Sequence, residues 1–261
     1  MKNRNLYIFL TIVITSYLHT SCSTSAVGEP PSPNVSKLPI AETLLRAEEL
    51  FRERTDIEKL RQAYELAETL RNPSERNYEV EWRFAKYAYF LGKSTTDEAA
   101  AQAIFEKGKR AGKIASRIEP DKPDGHFWHG ANLGELASLS PVTVGIKSID
   151  EIRETMNNVV RIDPAYEAAS AYDALAQVEM KTRLYGGKAE KAVEFLEAGR
   201  KLNPTNPNIL ANLAEAYLAV KRDADAKRQI EDLLKMEPHK DYPAEHAAAV
   251  KKAKKLLETS F

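Results

Sequence analysis

The chain has 261 residues with 38 basic and 38 acidic side chains. A zero net charge removes the electrostatic case for a nucleic-acid partner. At 43% hydrophobic with only 11 glycines, and dominated by Ala, Glu, Lys and Leu, the composition reads as helix rather than sheet. Its single cysteine, Cys22, excludes an internal disulfide framework.

The first element is of a different kind from the rest. Lys2 and Arg4 precede an apolar stretch at 6–18, broken only by Thr and Ser. That is short for a membrane span and suits a signal-peptide core, so 1–21 is expected to be a signal peptide. Thr20, Ser21 and Cys22 resemble the last three positions of a bacterial lipoprotein signal, with Cys22 as the acylated residue; His19 departs from that pattern. The alternative is a conventional secretory signal, cleaved nearby, with an incidental cysteine. Under the lipoprotein resemblance, Ser23 implies sorting to the outer membrane. Residues 22–39 are rich in Ser, Pro and Gly, as expected of a flexible tether. The membrane would then be met only through the lipid.

From Ile40 onward the apolar spacing is helical, and 40–261 reads as a single helical domain. Hairpins are expected at about 40–73, 78–120, 125–164, 165–204 and 208–238, with a lysine-rich cap at 242–259. Gly92 is expected to cap the helix beginning near Tyr78, and Ser148 with Glu151 to form a capping box. Residues 140–147 form a Pro- and Gly-containing insertion long enough to carry binding, with apolar Val142, Val144 and Ile146.

Five helices end in a polar-Pro step: Asn72-Pro73, Glu119-Pro120, Asp163-Pro164, Asn203-Pro204 and Glu237-Pro238. Proline cannot continue a helix and pushes its predecessor out of the helical region. The last two prolines are 34 residues apart, the period of a tetratricopeptide (TPR) helix pair; the earlier gaps of 47, 44 and 40 imply insertions. Leu210, Leu213, Ala214, Tyr217, Ala226, Ile230 and Pro238 fit the TPR pattern best, and Gly130, Ala174 and Ala192 keep its small residue upstream. The expected fold is all-α: a TPR-like stack of antiparallel helix pairs with a C-terminal capping helix.

A narrower resemblance lies in the middle of the chain. The run from Pro123 through Trp128 to Leu136, the Pro/Gly insertion, the Ile162-Asp163-Pro164 step and Leu184-Tyr185-Gly186-Gly187-Lys188 resemble the T-component (TatT) lipoproteins of TRAP transporters, over roughly residues 75–240. That resemblance implies a periplasmic helical bundle that assembles as a trimer. It would dock a substrate-binding protein delivering small organic ligands, and it brings no catalytic residues.

The chemistry to weigh is sparse. His126 and His129 share a helix face beside Asp124, the beginning of a zinc site that lacks a third strong ligand nearby; buried, hydrogen-bonded histidines are the simpler reading. No nucleophile elbow, phosphate loop or paired-carboxylate signature is present, so neither an enzyme nor a cofactor is expected. In TPR hairpins a groove is lined by first-helix residues one place off the core positions. Here these are Arg83, Tyr87 and Phe90, then Phe127, Ala131 and Asn132, then Ala171 and Leu175, then Ala211 and Glu215. Aromatic walls with a few polar groups suit a small hydrophobic or organic ligand or a partner helix. The alternative is that these rings fill a closed core. Arg83, beside Trp82 and Tyr87, needs a glutamate on the next helix or an anionic ligand.

Overall fold

Polar caps and prolines set where many of the described helices start and stop. The computed structural model describes residues 39–141, 145–238 and 242–261. Among them are eleven α-helices and no strand. They are α1 (Ile40–Arg52), α2 (Ile57–Thr69), α3 (Tyr78–Ser94), α4 (Glu98–Ile118), α5 (Pro123–Leu139), α6 (Ile146–Ile162), α7 (Tyr166–Lys181), α8 (Ala189–Leu202), α9 (Pro207–Ala219), α10 (Asp223–Lys235) and α11 (Pro243–Ser260). Residues 38–261 form one compact unit. No described helix is long and apolar enough to cross a membrane. Cys22 and the segments 1–21 and 22–38 lie outside the described residues, as do Val142, Val144 and His239.

The starts are chemically explicit. Asp56 accepts from the Glu58 amide at 2.9 Å, Asn77 from Glu79 at 2.9 Å, Asp97 from Ala100 at 2.7 Å and Asn206 from Asn208 at 3.0 Å. Each satisfies an amide that has no partner within its helix. Pro123, Pro207 and Pro243 open α5, α9 and α11, where a missing N–H costs nothing. Each of α4, α6 and α8 stops one residue before its polar-Pro step.

Two local expectations are corrected. Helix α6 begins at Ile146 after Gly145 with no side-chain cap, and Ser148 is buried inside its first turn. Gly92 does not cap α3, which runs on to Ser94. A Cβ there would meet a Phe105 ring carbon at 2.5 Å, so this glycine lets α3 and α4 approach. Gly112 does the same between α4 and α5, where a Cβ would sit 2.5 Å from the His129 amide nitrogen.

Pairs form antiparallel hairpins, and each stacks on the next through α2 on α3, α4 on α5, α6 on α7 and α8 on α9; α11 covers α9 and α10. The stack of helix pairs with a terminal cap is the architecture the repeated proline steps imply. Three main cores result. The first is aromatic, built from Phe51, Tyr64, Phe84, Tyr87, Phe127 and Trp128 with aliphatic neighbours. The second and third, around α8–α11, are mostly Ala, Leu, Ile and Val. Helix α7 serves both sides, giving Ala171, Leu175 and Val178 to the first core and Ala169 and Ala176 to the second.

At the start of α7 the chain takes an unusual path. Glu167, Ala168 and Ala169 are left-handed, with φ of 44°, 58° and 62°. For L-residues this costs about 1–2 kcal/mol each, so neighbours must hold it. The Asn206 amide donates to the Ala168 carbonyl at 2.9 Å, and the Ser170 hydroxyl to the Glu167 carbonyl at 2.6 Å. The same Asn206 caps α9, so one side chain ties the fifth pair to the strained turn.

Candidate functional site

A cleft of about 1320 Å³ opens between α3, α5, α6 and α7. Its wall is built from Tyr89 and Phe90 of α3, Phe127 and Trp128 of α5, and Ile149, Ile152 and Met156 of α6. The rings brace one another. Trp128 lies 4.9 Å from Phe127 edge-to-face, 5.6 Å from Tyr89 and 5.9 Å from Phe90. Pairs of this kind fix orientation beyond simple area burial. The Trp128 indole N–H donates to the Tyr166 hydroxyl at 3.2 Å, and Tyr166 in turn donates to Asp124 at 2.8 Å. Asp124 also accepts from the Tyr78 hydroxyl at 2.5 Å, so one carboxylate ties α3, α5 and α7 behind the aromatic wall.

The opposite border comes from distant sequence. The α1–α2 turn supplies Arg52, Arg54 and Thr55, and the start of α11 supplies Tyr242 and Glu245. The Arg54 guanidinium stacks over Phe51 at 5.0 Å, Phe90 at 5.2 Å and Tyr242 at 6.0 Å. Tyr242 reaches Glu167 of the left-handed turn at 3.4 Å. Pro141, Gly145 and Ile146 of the inserted loop edge the cleft, as does Tyr185 in the short 3-10 turn Arg183–Tyr185.

The ionisable groups divide by depth. Glu135, Glu167 and Asp173 are partly or fully buried, whereas Arg52, Lys93 and Lys181 are exposed at the rim. Burial pushes the Asp173 and Glu167 carboxyls above their ordinary ranges; for Glu167, Lys86 at 3.8 Å and Arg54 oppose the shift. Lys93 is held above the usual lysine range by Tyr89 and then by Glu135 and Glu245, in spite of its own desolvation.

Of the groove residues expected from the sequence, Phe90, Phe127 and Ala131 line this cleft. Tyr87, Asn132 and Leu175 are core residues with essentially no surface to offer. Tyr87 donates to Glu48 at 2.9 Å, and the Asn132 amide bonds the carbonyls of Ala85 at 3.0 Å and Trp128 at 2.7 Å. Arg83 pairs with Glu79, one turn earlier on its own helix rather than on the next, and lies 4.2 Å from the Trp82 ring. Glu215 pairs with Lys252 of α11. Tyr89, Trp128, Asp173, Tyr242 and Glu245 are among the lining residues that repeat arithmetic misses. The adjacent pairs Phe127-Trp128 and Tyr89-Phe90 signal an aromatic patch, but nothing local in the sequence brings α11 to α1.

The histidines part company. His129 is buried, its Nδ1 at 2.9 Å from the Lys109 carbonyl and its Nε2 at 3.1 Å from Glu151. Desolvation lowers its basicity, partly offset by those two acceptors. His126 is partly exposed and bonds the Pro120 carbonyl at 2.9 Å. Both oxygens of Asp124 are already taken by tyrosines. Among the described residues no three His, Cys, Asp or Glu side chains are placed to hold a metal ion.

Two family models match parts of the chain. The model described as "Regulator of microtubule dynamics protein 1-3" covers residues 43–172, and a tetratricopeptide-repeat model covers 183–252. The solved structure of TTC0263, a thermophilic TPR protein of Thermus thermophilus, is similar at 19% identity and a TM-score of 0.58. That match covers 81% of this chain and 98% of that one. The crystal structure of MamA protein is similar at 13% identity and a TM-score of 0.49, over 85% of this chain and 98% of that one. No curated protein is significantly similar in sequence.

Proposed function

We propose that this tetratricopeptide-repeat protein is a membrane-tethered accessory (T) component of a TRAP-type solute uptake system, its cleft receiving a segment of a protein partner. The aromatic cleft carries the reading. Its volume of about 1320 Å³ exceeds the roughly 300–1,000 Å³ typical of small-molecule pockets and suits an extended or helical segment of a partner. Helical repeat stacks of this kind act as scaffolds for partners, and a fold-level likeness leaves the partner to be argued from the site.

The finer parts of the proposal draw on the sequence. The run from Pro123 to Leu136 and Leu184-Tyr185-Gly186-Gly187-Lys188 supports the T-component resemblance, with a periplasmic substrate-binding protein as partner, a small organic or hydrophobic ligand passing between them, and a homotrimer as the assembled form. Thr20-Ser21-Cys22 supports acylation of Cys22 and residence at the periplasmic face of the outer membrane. No catalytic role is proposed.

The test is gentle crosslinking of the full-length tagged protein in its own cells, followed by mass spectrometry of what co-purifies. Enrichment of a periplasmic substrate-binding protein supports the transport role. Enrichment of outer-membrane assembly or secretion components, with no such protein, overturns it in favour of a second reading: a TPR scaffold for those complexes. The size of the cleft favours that second reading where no small ligand co-purifies.

A further inference from the structure

The two most exposed large apolar side chains among the described residues are neighbours. Leu184 is 93% exposed and Tyr185 68%, at the tip of the short turn between α7 and α8. Single exposed apolar residues are ordinary, whereas an adjacent pair on a stiff support is a presented surface. The stiffness lies in the hydrogen bonds. The Tyr185 and Gly187 amides both donate to the Thr182 carbonyl, at 2.7 and 3.0 Å, and the Lys188 amide donates to Glu179 at 3.0 Å. Glu179 is buried and receives the Arg153 guanidinium of α6 at 3.1 Å. Gly186 takes a φ of 96°, and a Cβ on Gly187 would sit 2.2 Å from the Glu179 carbonyl oxygen, so the path of the turn requires both glycines. A tip held this way loses little freedom when something covers it.

Charge frames the tip. Residues 181–191 carry four cations, Lys181, Arg183, Lys188 and Lys191, against one exposed carboxylate, Glu190. Lys181 bonds the Ser138 hydroxyl and Lys191 lies 5.6 Å from the Phe195 ring; none of the four makes an ion pair among the described residues. The neighbouring α6 does not neutralise them. Its Asp150 shares Arg153 with Glu179, and its Glu151 pairs with Lys113 of α4, leaving Lys147 and Glu154 to offset each other in number. Two copies meeting tip to tip would therefore oppose like charges. The chain's own cleft is no complement either, since its lining carries as many cations as carboxylates. A bilayer holds a protein in proportion to the apolar area buried in it, and two side chains are a small area. Tyr and Arg are the residue types that most often carry binding energy between proteins.

We propose that the Arg183–Tyr185 tip is a prong that a protein partner takes into an apolar pocket rimmed by Asp and Glu. Leu184 and Tyr185 fill that pocket, and Arg183 and Lys188 meet its rim. This rests on the reading of the chain as a partner-binding scaffold and adds a contact beside the cleft, whose lining includes Tyr185 and Lys181.

A photo-reactive phenylalanine analogue placed at Leu184 of the full-length chain, in its own cells, tests this. The same analogue at Thr55, on the opposite border of the cleft, serves as the comparison. Mass spectrometry should find Leu184 joined to one protein, at a peptide whose apolar residues are flanked by Asp or Glu. Arg183→Glu/Lys188→Glu should lower that yield about fivefold or more, whereas Arg183→Lys/Lys188→Arg should keep it. All four positions are exposed, so melting curves should not move. A crosslinked peptide without acidic flanks, or a yield indifferent to charge reversal in folded protein, overturns the acidic rim. Crosslinks to lipid, or to another copy of this chain, overturn the prong as a contact for a different protein. If Thr55 captures a protein and Leu184 none, the prong falls and the cleft reading stands. If neither captures anything, both fall.

Discussion

The two ends of the stack bury their helices in different ways. The fifth pair and its cap close with Leu210, Leu213, Ala214, Ala226, Ile230, Leu233, Ala249 and Ala253, residues small or flexible enough for neighbouring helices to meet with little space between them. The first three pairs use Phe51, Tyr64, Phe84, Tyr87, Phe127 and Trp128, the last four of them on helices of 17 residues. Rings of that size span wider gaps but cannot fill them uniformly, and the unfilled volume is the cleft. A regular repeat is thus well suited to support, and departure from it creates a site. The candidate site in this molecule lies where the repeat is least ideal.

The largest test of that contrast is Trp128→Ala. It removes the ring at the centre of the aromatic wall and should cost about 3–5 kcal/mol, read from the urea midpoint. A loss below about 1 kcal/mol would show that the aromatic core is not close-packed. In the other half, Ala214→Leu overfills a fully buried position and should cost roughly 1–3 kcal/mol. If Ala214→Leu is neutral, the close approach of α9 and α10 is not what that residue is for.

A smaller change should stabilise. Ala168→Gly relieves a left-handed residue at φ 58° and should gain about 1 kcal/mol, seen as a raised melting temperature; destabilisation would mean the turn is not strained. The smallest effect concerns pH. The folded state depresses the pKa of His129 below its ordinary 6.5, so the unfolded chain binds a proton more readily. Its contribution is fully present above about pH 6.5 and is lost as pH falls from there toward the lower folded value. Wild type should therefore lose stability between about pH 7.5 and about 5.5 relative to His129→Gln, which has no ring to protonate. Parallel pH profiles would rule this out.

The fold was legible because its signals are local. Each polar-Pro step marks a helix end within three residues, and Asp56, Asn77, Asp97 and Asn206 are side chains that cap by themselves. The site was less legible for two physical reasons. Groove positions inferred from a 34-residue repeat lose register in hairpins whose helices run 17 and 21 residues, so Tyr87, Asn132 and Leu175 turn inward while Tyr89, Trp128 and Asp173 face the cleft. The second reason is distance along the chain. Tyr242 meets Arg54 and Glu167 through the tertiary fold alone, and helical periodicity carries no information about that meeting. Gly92 and Ser148 mislead similarly: residues that often terminate helices are here used for packing.

That meeting of Tyr242 with Arg54 has a consequence for how the protein is made. Hairpins contact their neighbours as they leave the ribosome, so the stack can form in order, N-terminal pairs first. The cleft cannot. One of its borders belongs to the α1–α2 turn and another to α11, so the apolar wall of Tyr89, Phe90 and Trp128 stays uncovered on that side until the last helix of this stack has emerged. A nascent chain halted before Tyr242 would present the apolar wall of the cleft without the border that α11 supplies. Synthesis thus has a late interval in which the apolar wall exists and its last border does not, and a holding chaperone would have most to do then.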